Sequence, residues 1–424
     1  MRAMTTARAQ PHSWRSARRC SAEPESMGGC PHFPFRRSDP LHPPSELREA
    51  RAAEPVLPVT LWNGRRAWVV TRQKEIREVL SDDQRFSGRF GQEAFPTVTE
   101  ARVAVDRGER AFVGMDNPEH DRFRRMFTRE FSVRRMMALE PAIRAIAHRL
   151  IDELEQAGPP QDLVPMLAVR FPSLVMSLLF GSPYEDHRFI IECAVARHGL
   201  TQSPGEAERK ARELADYCRR LIEARMVEPR DDMVSRVIAD QVRPGLLSVE
   251  EFAEIGAMIL RAGHDTTTNM IAMGALYLVR DPALATRLRA APADIRRTVE
   301  EFLRFTSPVQ FSPRRVARVD VELAGVKIQQ GEGLFLSLAS ANRDEAVFSD
   351  PDSLDIDRDN SAQLAFGYGI HQCLGQVLAR IELQVLFEVL LARLPGLRLA
   401  VPLESLRFKH DMQIYGLHNL PVAW

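Results

Sequence analysis

FGYGIHQCLG, residues Phe366–Gly375, places one thiol, that of Cys373, among three glycines. The next run, Gln376–Leu383, is rich in helix-forming residues and has apolar positions at helical spacing. This pattern predicts that Cys373 lies at a helix N-terminus, where unpaired N–H groups and the helix dipole favour an anion. Glycines let such a loop approach a bound group closely. A small buried cysteine in a tight turn would require none of the three, so the sequence favours a thiolate held against a cofactor.

This stretch resembles the haem-binding loop of the cytochromes P450, Phe-Gly-x-Gly-x-His-x-Cys-x-Gly, and fills every position of it. The resemblance implies that Cys373 is the axial ligand of the iron in haem b. It also implies that His371 reaches a haem propionate and that Phe366 packs beside the sulfur. The implied fold is mainly α with small β-sheets, in a single haem domain.

A second family motif is Ala262–Thr267, AGHDTT, inside a long predicted helix. The helix should begin after the capping box formed by Ser248 and Glu251, and it should end near Asp281, because Pro282 follows. Apolar residues recur at helical spacing between these limits, so one face of the helix is predicted to be buried.

Thr266 lies on this apolar face, where a threonine commonly bonds the carbonyl one turn back. Gly263 and Asp265 favour a functional interpretation, because glycine weakens a helix by about 1 kcal/mol and a buried acid is costly. The resemblance implies that Thr266 and Asp265 deliver protons to dioxygen. It assigns Ala262 and Gly263 to the cofactor groove.

A third motif is Glu301-Phe302-Leu303-Arg304, with Arg358 further along the chain. Alone, Glu-x-x-Arg is an ordinary helical ion pair. By resemblance, Glu301, Arg304 and Arg358 form a structural triad without a chemical role.

Three further basic residues are candidates for binding the two haem propionates. His120 and Arg124 match the His-x-x-x-Arg helix of the family, and Arg315 precedes a strand predicted from Val319. Arginine binds carboxylates bidentately, and histidine can donate to them. Spacing to the strand favours Arg315 over Arg314.

The chain has 424 residues, 45% of them apolar, and a formal net charge of zero. This balance argues against nucleic acid or an anionic membrane as the main partner. No apolar run approaches the roughly 18 residues that span a bilayer. The five cysteines, an odd number without metal spacing, predict a reducing, cytoplasmic location: Cys20, Cys30, Cys193, Cys218 and Cys373.

Residues 1–32 are predicted to form a disordered N-terminal extension, and residues 33–424 a haem domain. Within that domain, Pro58–Trp62 and Ala67–Thr71 flank Asn63-Gly64 and predict a β-hairpin. Further strands are expected at Val319–Ile328 and Leu334–Leu338.

The chain also resembles a broad bacterial group of the family, which hydroxylates macrolides, terpenoids, secosteroids and foreign compounds. The resemblance implies a monooxygenase that uses O2 and two electrons from an acidic ferredoxin with a NAD(P)H-dependent reductase. Two alternatives remain. The nitric oxide reductase branch takes electrons directly from a nicotinamide and lacks the acid before the threonine. The other alternative is a haem-thiolate sensor or electron carrier without enzymatic activity.

Arg122, Arg125 and Arg129 follow helical spacing and predict a basic face for the ferredoxin. By family position, four segments are expected to form the walls of a lipophilic substrate pocket: Ser87–Val113, Glu185–Arg212, Val309–Phe311 and Met412–Ile414. The apolar residues expected to face the substrate are Phe90, Phe95, Phe112, Val309, Phe311 and Ile414.

Overall fold

The computed structural model describes residues 29–195, 204–410 and 412–424. Most of the predicted N-terminal extension, up to residue 28, therefore lies outside the described residues. The chain is packed into the fold from Pro31, two residues before the predicted boundary, because the Thr60 N–H donates to the Pro31 carbonyl at 3.0 Å. The Phe33 N–H donates to the Thr60 carbonyl at 3.0 Å, and the Phe33 ring is buried.

Helices dominate the described residues, as the sequence predicts. They are α1 (Ser45–Ala53), α2 (Gln73–Ser81), α3 (Glu100–Arg107), α4 (Glu119–Thr128), α5 (Val133–Ala138), α6 (Glu140–Ala157), α7 (Arg170–Phe180), α8 (His187–Val195), α9 (Pro204–Val227), α10 (Met233–Val237), α11 (Val249–Arg280), α12 (Pro282–Ala290), α13 (Ile295–Thr306), α14 (Leu338–Ala341) and α15 (Gln376–Arg393). None of these helices combines the length and the apolar character needed to cross a membrane.

The strands form three small sheets. They are β1 (Val56–Thr60), β2 (Arg66–Val70), β3 (Phe86–Ser87), β4 (Gln161–Asp162), β5 (Arg314–Ala317), β6 (Val321–Leu323), β7 (Val326–Ile328), β8 (Gly333–Leu336), β9 (Arg398–Leu399) and β10 (Pro421–Ala423). One sheet has the order β1-β2-β8-β5-β3, another has β4-β10-β9, and β6 pairs with β7.

The predicted hairpin is confirmed: β1 and β2 are antiparallel, and Gly64 in the turn has φ 78°. The strand expected at Val319–Ile328 is instead the hairpin β6–β7. Its turn places Ala324 and Gly325 at φ 50° and 79°, which breaks the continuous strand. Arg315 lies within β5 rather than before a strand. Leu338, predicted to end a strand, begins α14.

Helix α11 runs through the centre of the main hydrophobic core and packs against α7, α9, α13 and α15. Its predicted limits are confirmed, because Ser248 and Glu251 form the capping box and Asp281 is the C-cap. Gly263 has a packing role that sequence reasoning missed. A Cβ there would lie 2.3 Å from the Met176 sulfur, so a larger residue would force the Met176 side chain of α7 to shift.

The Glu301–Arg304 pair is fully buried in α13. Arg304 Nε and Nη2 each donate to the Glu301 carboxylate at 2.7 Å, and both side chains are 0% exposed. Arg358 Nε lies 3.5 Å from the same carboxylate, so the predicted triad is assembled. Arg304 also donates to three backbone carbonyls, those of Asn342, Pro351 and Ser353.

Replacing Glu301 by Gln should lower the free energy of unfolding in urea by about 3–5 kcal/mol, because Arg304 would keep a buried, uncompensated charge. The matched control is E213Q, which breaks the exposed helical pair Arg209–Glu213. That change should cost less than about 0.5 kcal/mol. Equal losses in the two variants would contradict the structural role assigned to the buried pair.

Candidate functional site

Backbone hydrogen bonds and glycine conformations define the shape of the Cys373 loop. The Cys373 N–H donates to the Phe366 carbonyl at 2.9 Å. Gly367 and Gly369 have φ 71° and 72°, a conformation that favours glycine. A Cβ on Gly369 would lie 2.1 Å from the Leu80 carbonyl oxygen, so this glycine lets the loop pack against the end of α2.

Cys373 lies just before α15, whose N-cap is Gly375, as predicted. Its side chain is exposed to the cavity described below. Surrounding protein raises the pKa of the Cys373 thiol through desolvation, while the Gly375 N–H and the charges of Arg124 and Arg380 lower it. A bound metal ion would therefore be needed to hold this sulfur fully as a thiolate.

A cavity of about 370 Å3 lies between the Cys373 loop and α11. This volume is within the range of small-molecule sites. Cys373 and Thr266 both line it, so the structure brings together the two motifs that the sequence singled out. The apolar lining includes Phe112, Val113, Phe131, Met176, Met258, Ile259, Met270, Leu303, Val309, Leu338, Leu374 and Leu378.

Thr266, Ala262 and Gly263 present one turn of α11 to the cavity. The Thr266 hydroxyl donates to the Ala262 carbonyl at 3.1 Å. The threonine thus makes the ordinary bond to the preceding turn, and its side chain also reaches the cavity. The structure therefore confirms the ordinary helical bond of Thr266, and its role in proton delivery stays a prediction.

Asp265 does not line the cavity. Its carboxylate Oδ1 accepts from Asn269 Nδ2 at 3.0 Å and lies 4.0 Å from Lys409 Nζ. The Asp265 and Lys409 side chains are both largely buried. Asn269 Oδ1 lies so close to the backbone that a Cβ on Gly416 would be 2.1 Å from it. The carboxylate is therefore held between α11 and the C-terminal segment.

The imidazoles of His120 and His371 lie beside each other, with ring centroids 4.2 Å apart. Among the described residues, neither nitrogen of His120 nor Nε2 of His371 has a hydrogen-bond partner. Burial, reinforced by Arg124, lowers the pKa of His120 to about 4. Burial, reinforced by Arg315 and His120, lowers the pKa of His371 to about 2. Both imidazoles are thus uncharged, and each carries an N–H group that can donate a hydrogen bond to an added acceptor.

The Arg315 guanidinium lies next to this pair, since a Cβ on Gly88 would be 3.3 Å from both Arg315 Nη1 and His371 Nε2. Arg315 donates only to the Arg314 carbonyl among the described residues, and burial lowers its pKa to about 10. Arg314 is different, because its guanidinium is paired with Asp106 at 2.7 Å. Arg315, which makes no ion pair among the described residues, is therefore the arginine that the sequence analysis favoured over Arg314.

Arg124 and Phe366 complete the predicted set. Arg124 lines the cavity, and its Nη2 donates to the Gln372 carbonyl at 2.5 Å. Phe366 also lines the cavity, with the Arg380 guanidinium 4.4 Å from its ring centroid.

Sequence reasoning missed Glu382, which lines the cavity from α15 and is 1% exposed. Its Oε2 has no hydrogen-bond partner in the part of the chain that the structure describes, and burial raises the pKa of its carboxyl well above 4.5. The available signal was an acid on a helix face shared with Leu378 and Leu386, both buried.

Only part of the predicted substrate wall lines the cavity. Phe112 and Val309 do so. Phe90 and Phe95 instead pack against each other and against the Arg314 guanidinium. The segment predicted from Glu185 to Arg212 falls partly outside the described residues. Phe311 and Ile414 are buried in the core and do not line the cavity.

The predicted basic face carries less positive charge than its arginines suggest. Each arginine lies beside a carboxylate: Arg122 beside Glu251, Arg125 beside Asp121 and Arg129 beside Asp240.

A haem fits the residues that the structure brings together. It would satisfy the orphaned imidazole nitrogens of His120 and His371 and the unpaired Arg315 with its propionates, while Cys373 faces the iron. A mainly helical haem-thiolate protein is the class that these features indicate.

Comparison with known proteins identifies the family. The family model "Cytochrome P450" matches residues 50–292 and 295–395. Cytochrome P450-SU2 of Streptomyces griseolus is 43% identical over 91% of this chain and 94% of its own length. The vitamin D3 dihydroxylase of the same organism is 39% identical, over 93% and 97%. The crystal structure of the mycinamicin VIII C21 methyl hydroxylase of Micromonospora griseorubida has a TM-score of 0.87 at 32% identity, covering 93% of this chain and 100% of that one.

The chain belongs to the cytochrome P450 family. It is therefore an oxidoreductase of the P450 type, and the cofactor of that family is haem iron.

Replacing Glu382 by Gln should make stability less dependent on pH. The folded protein keeps a proton on Glu382 that the unfolded chain releases above its ordinary pKa, so wild-type stability falls as pH rises through that range. We expect the E382Q variant to have the higher Tm, with a larger difference at about pH 8 than at about pH 5.5. Thermal unfolding followed by circular dichroism measures both. An equal difference at the two pH values would contradict a neutral Glu382.

Proposed function

We propose that this protein is a monooxygenase that hydroxylates a C–H bond of a lipophilic small molecule, of the macrolide, terpenoid, secosteroid or xenobiotic type. The observation that carries the proposal is the apolar cavity between Cys373 and Thr266. Its walls contribute few polar groups, so a large lipophile would be oriented mainly by shape. The vitamin D3 and mycinamicin hydroxylases resemble this chain over most of its length, which supports the same substrate range.

In this proposal the cofactor is haem b, with Cys373 as iron ligand and His120, Arg124, Arg315 and His371 around the propionates. When bound, haem supplies the iron that activates dioxygen for insertion into a C–H bond. Desolvated imidazole and guanidinium groups bind carboxylates more strongly than solvated ones.

The Thr266 hydroxyl is proposed as the proton donor that faces the cavity, beside Ala262 and Gly263. Asp265 is the proposed source of that proton. Its carboxylate accepts from the Asn269 amide. The Thr266 hydroxyl has one proton and donates it to the Ala262 carbonyl, so it would have to turn away from that carbonyl to donate into the cavity. Apolar walls disfavour bulk water, so protons would arrive through these side chains rather than from solvent water.

The two electrons are proposed to come from an acidic ferredoxin with a NAD(P)H-dependent reductase. The pairing of Arg122, Arg125 and Arg129 with carboxylates weakens the electrostatic argument for that particular face, and other exposed arginines can contribute. The thiols of Cys193 and Cys218, buried in the core as packing residues, support a cytoplasmic location.

The test is turnover under 18O2 with a bacterial ferredoxin, its reductase and NADPH, using lipophiles that shift the Soret band. The wild type should place one 18O atom in a hydroxylated product. T266A should still bind the lipophile but lose about tenfold or more in product formed per NADPH, with peroxide released instead. Full coupling in T266A would remove Thr266 from the proton pathway. Consumption of nitric oxide with NADH alone, without ferredoxin, would support the reductase alternative and overturn the proposal.

A further inference from the structure

Arg261 and Glu109 form a buried ion pair beside the cavity. Arg261 Nη2 donates to Glu109 Oε2 at 2.8 Å, and their side chains are 9% and 5% exposed. A buried ion pair contributes little net stability, because desolvation of the two charges offsets their attraction. We therefore interpret the Glu109–Arg261 pair by the two segments that it holds together.

The pair connects two walls of the cavity. Glu109 Oε1 accepts from the Ala111 N–H at 3.1 Å, directly before the 3-10 turn Phe112–Gly114. Phe112 and Val113 of that turn line the cavity. Arg261 is followed along α11 by Ala262 and Gly263, which line the cavity from that helix.

On its other side, this turn is attached to the preceding loop. The Phe90 N–H donates to the Gly114 carbonyl at 3.0 Å, and a Cβ on Gly114 would lie 2.8 Å from the Phe90 ring. Helix α3, which precedes Glu109, is anchored to β5 by the buried Asp106–Arg314 pair. The Asp106–Arg314 pair fastens the wall to the sheet, and the Phe112 ring packs against Phe127 of α4. The Glu109–Arg261 pair fastens it to α11.

We propose that Glu109 and Arg261 are positioning residues that clamp the Phe112–Val113 wall against α11 and so control the entry of bulky substrates. Separating the wall from α11 requires breaking a desolvated ion pair, which is slow compared with the movement of a loop held by apolar contacts alone. A small ligand needs no such separation. The inference rests on the proposed function only in placing the ligand site in this cavity.

The experiment compares two azoles that bind haem iron, the small imidazole and the bulky clotrimazole, by stopped-flow measurement of the Soret shift. E109Q keeps the acceptor for the Ala111 N–H and removes the charge. We expect clotrimazole to associate and dissociate at least about fivefold faster in E109Q, with imidazole rates changed by less than about twofold. R261Q should behave alike, and the E109Q/R261Q double variant should add nothing further.

The matched control is E153Q, which breaks the Glu153–Arg170 pair, an ion pair of 2.7 Å whose residues do not line the cavity. It should leave the rates of both azoles unchanged. Hydrogen exchange of residues 88–114 should be faster in E109Q than in E153Q.

Unchanged clotrimazole rates in E109Q would overturn the inference, as would equal acceleration of both azoles, which indicates general loosening. Failure of imidazole to shift the Soret band of the wild type would instead count against the haem site itself, so the two proposals fail separately.

Discussion

The bidentate pair between Glu301 and Arg304 is the interaction on which the site depends. Arg304 has five N–H donors, and in this interior each needs an acceptor because no water is available. It finds them in Glu301 and in the carbonyls of Asn342, Pro351 and Ser353. One side chain thereby fixes α13 to the chain beyond α14.

A series of hydrogen bonds connects the carbonyl partners of Arg304 to the Cys373 loop. The Asn342 side chain accepts from the Leu364 N–H at 2.7 Å and donates to the Ser307 hydroxyl at 2.7 Å. Leu364 in turn accepts from the Gly367 N–H, and the Cys373 N–H closes the loop on Phe366. The position of the sulfur therefore follows from a charge buried well outside the cavity, which explains why an ordinary Glu-x-x-Arg pattern is structurally essential in this chain.

The partners of the buried arginines show which buried charges the protein itself neutralises and which one a ligand could neutralise. Arg304, Arg343 and Arg314 are buried and each is paired with a carboxylate. Arg315 is equally buried, but among the described residues it has only a backbone carbonyl, with two neutral imidazoles beside it. A desolvated cation without a counter-ion is unfavourable in a folded chain. Asp116 acts on Arg315 only beyond ion-pair distance, and the carboxylates of a bound haem would supply direct partners.

Sequence reasoning succeeded where a local pattern determines the outcome. The Cys373 loop, the capping box at Ser248 and the Asn63-Gly64 turn each depend on neighbouring residues, and each is found as predicted. Reasoning failed where partners are distant in sequence. Phe90 and Phe95 were expected at the substrate wall because they are apolar loop residues, but the Arg314 guanidinium binds them elsewhere.

Two other residues show the same limitation. The surroundings of Asp265 are set by Lys409 and by the close approach of Gly416, neither of which any helical pattern can reveal. Gly263 appeared functional because glycine is costly in a helix, yet the close contact with Met176 offers a packing reason for it as well. A residue that breaks a local preference is thus a sign of a constraint, and only the tertiary structure shows whether that constraint is packing, chemistry or both.

The turn of α11 that contains Arg261, Ala262 and Thr266 combines these constraints. The Ala262 carbonyl accepts from the Thr266 hydroxyl, and Arg261, the residue before Ala262, is paired with Glu109 ahead of the Phe112–Val113 wall. The proposed proton donor and the proposed clamp on substrate entry therefore lie on one helical turn. If both proposals hold, substrate entry and proton delivery would act on the same short segment of α11, without any longer pathway through the protein.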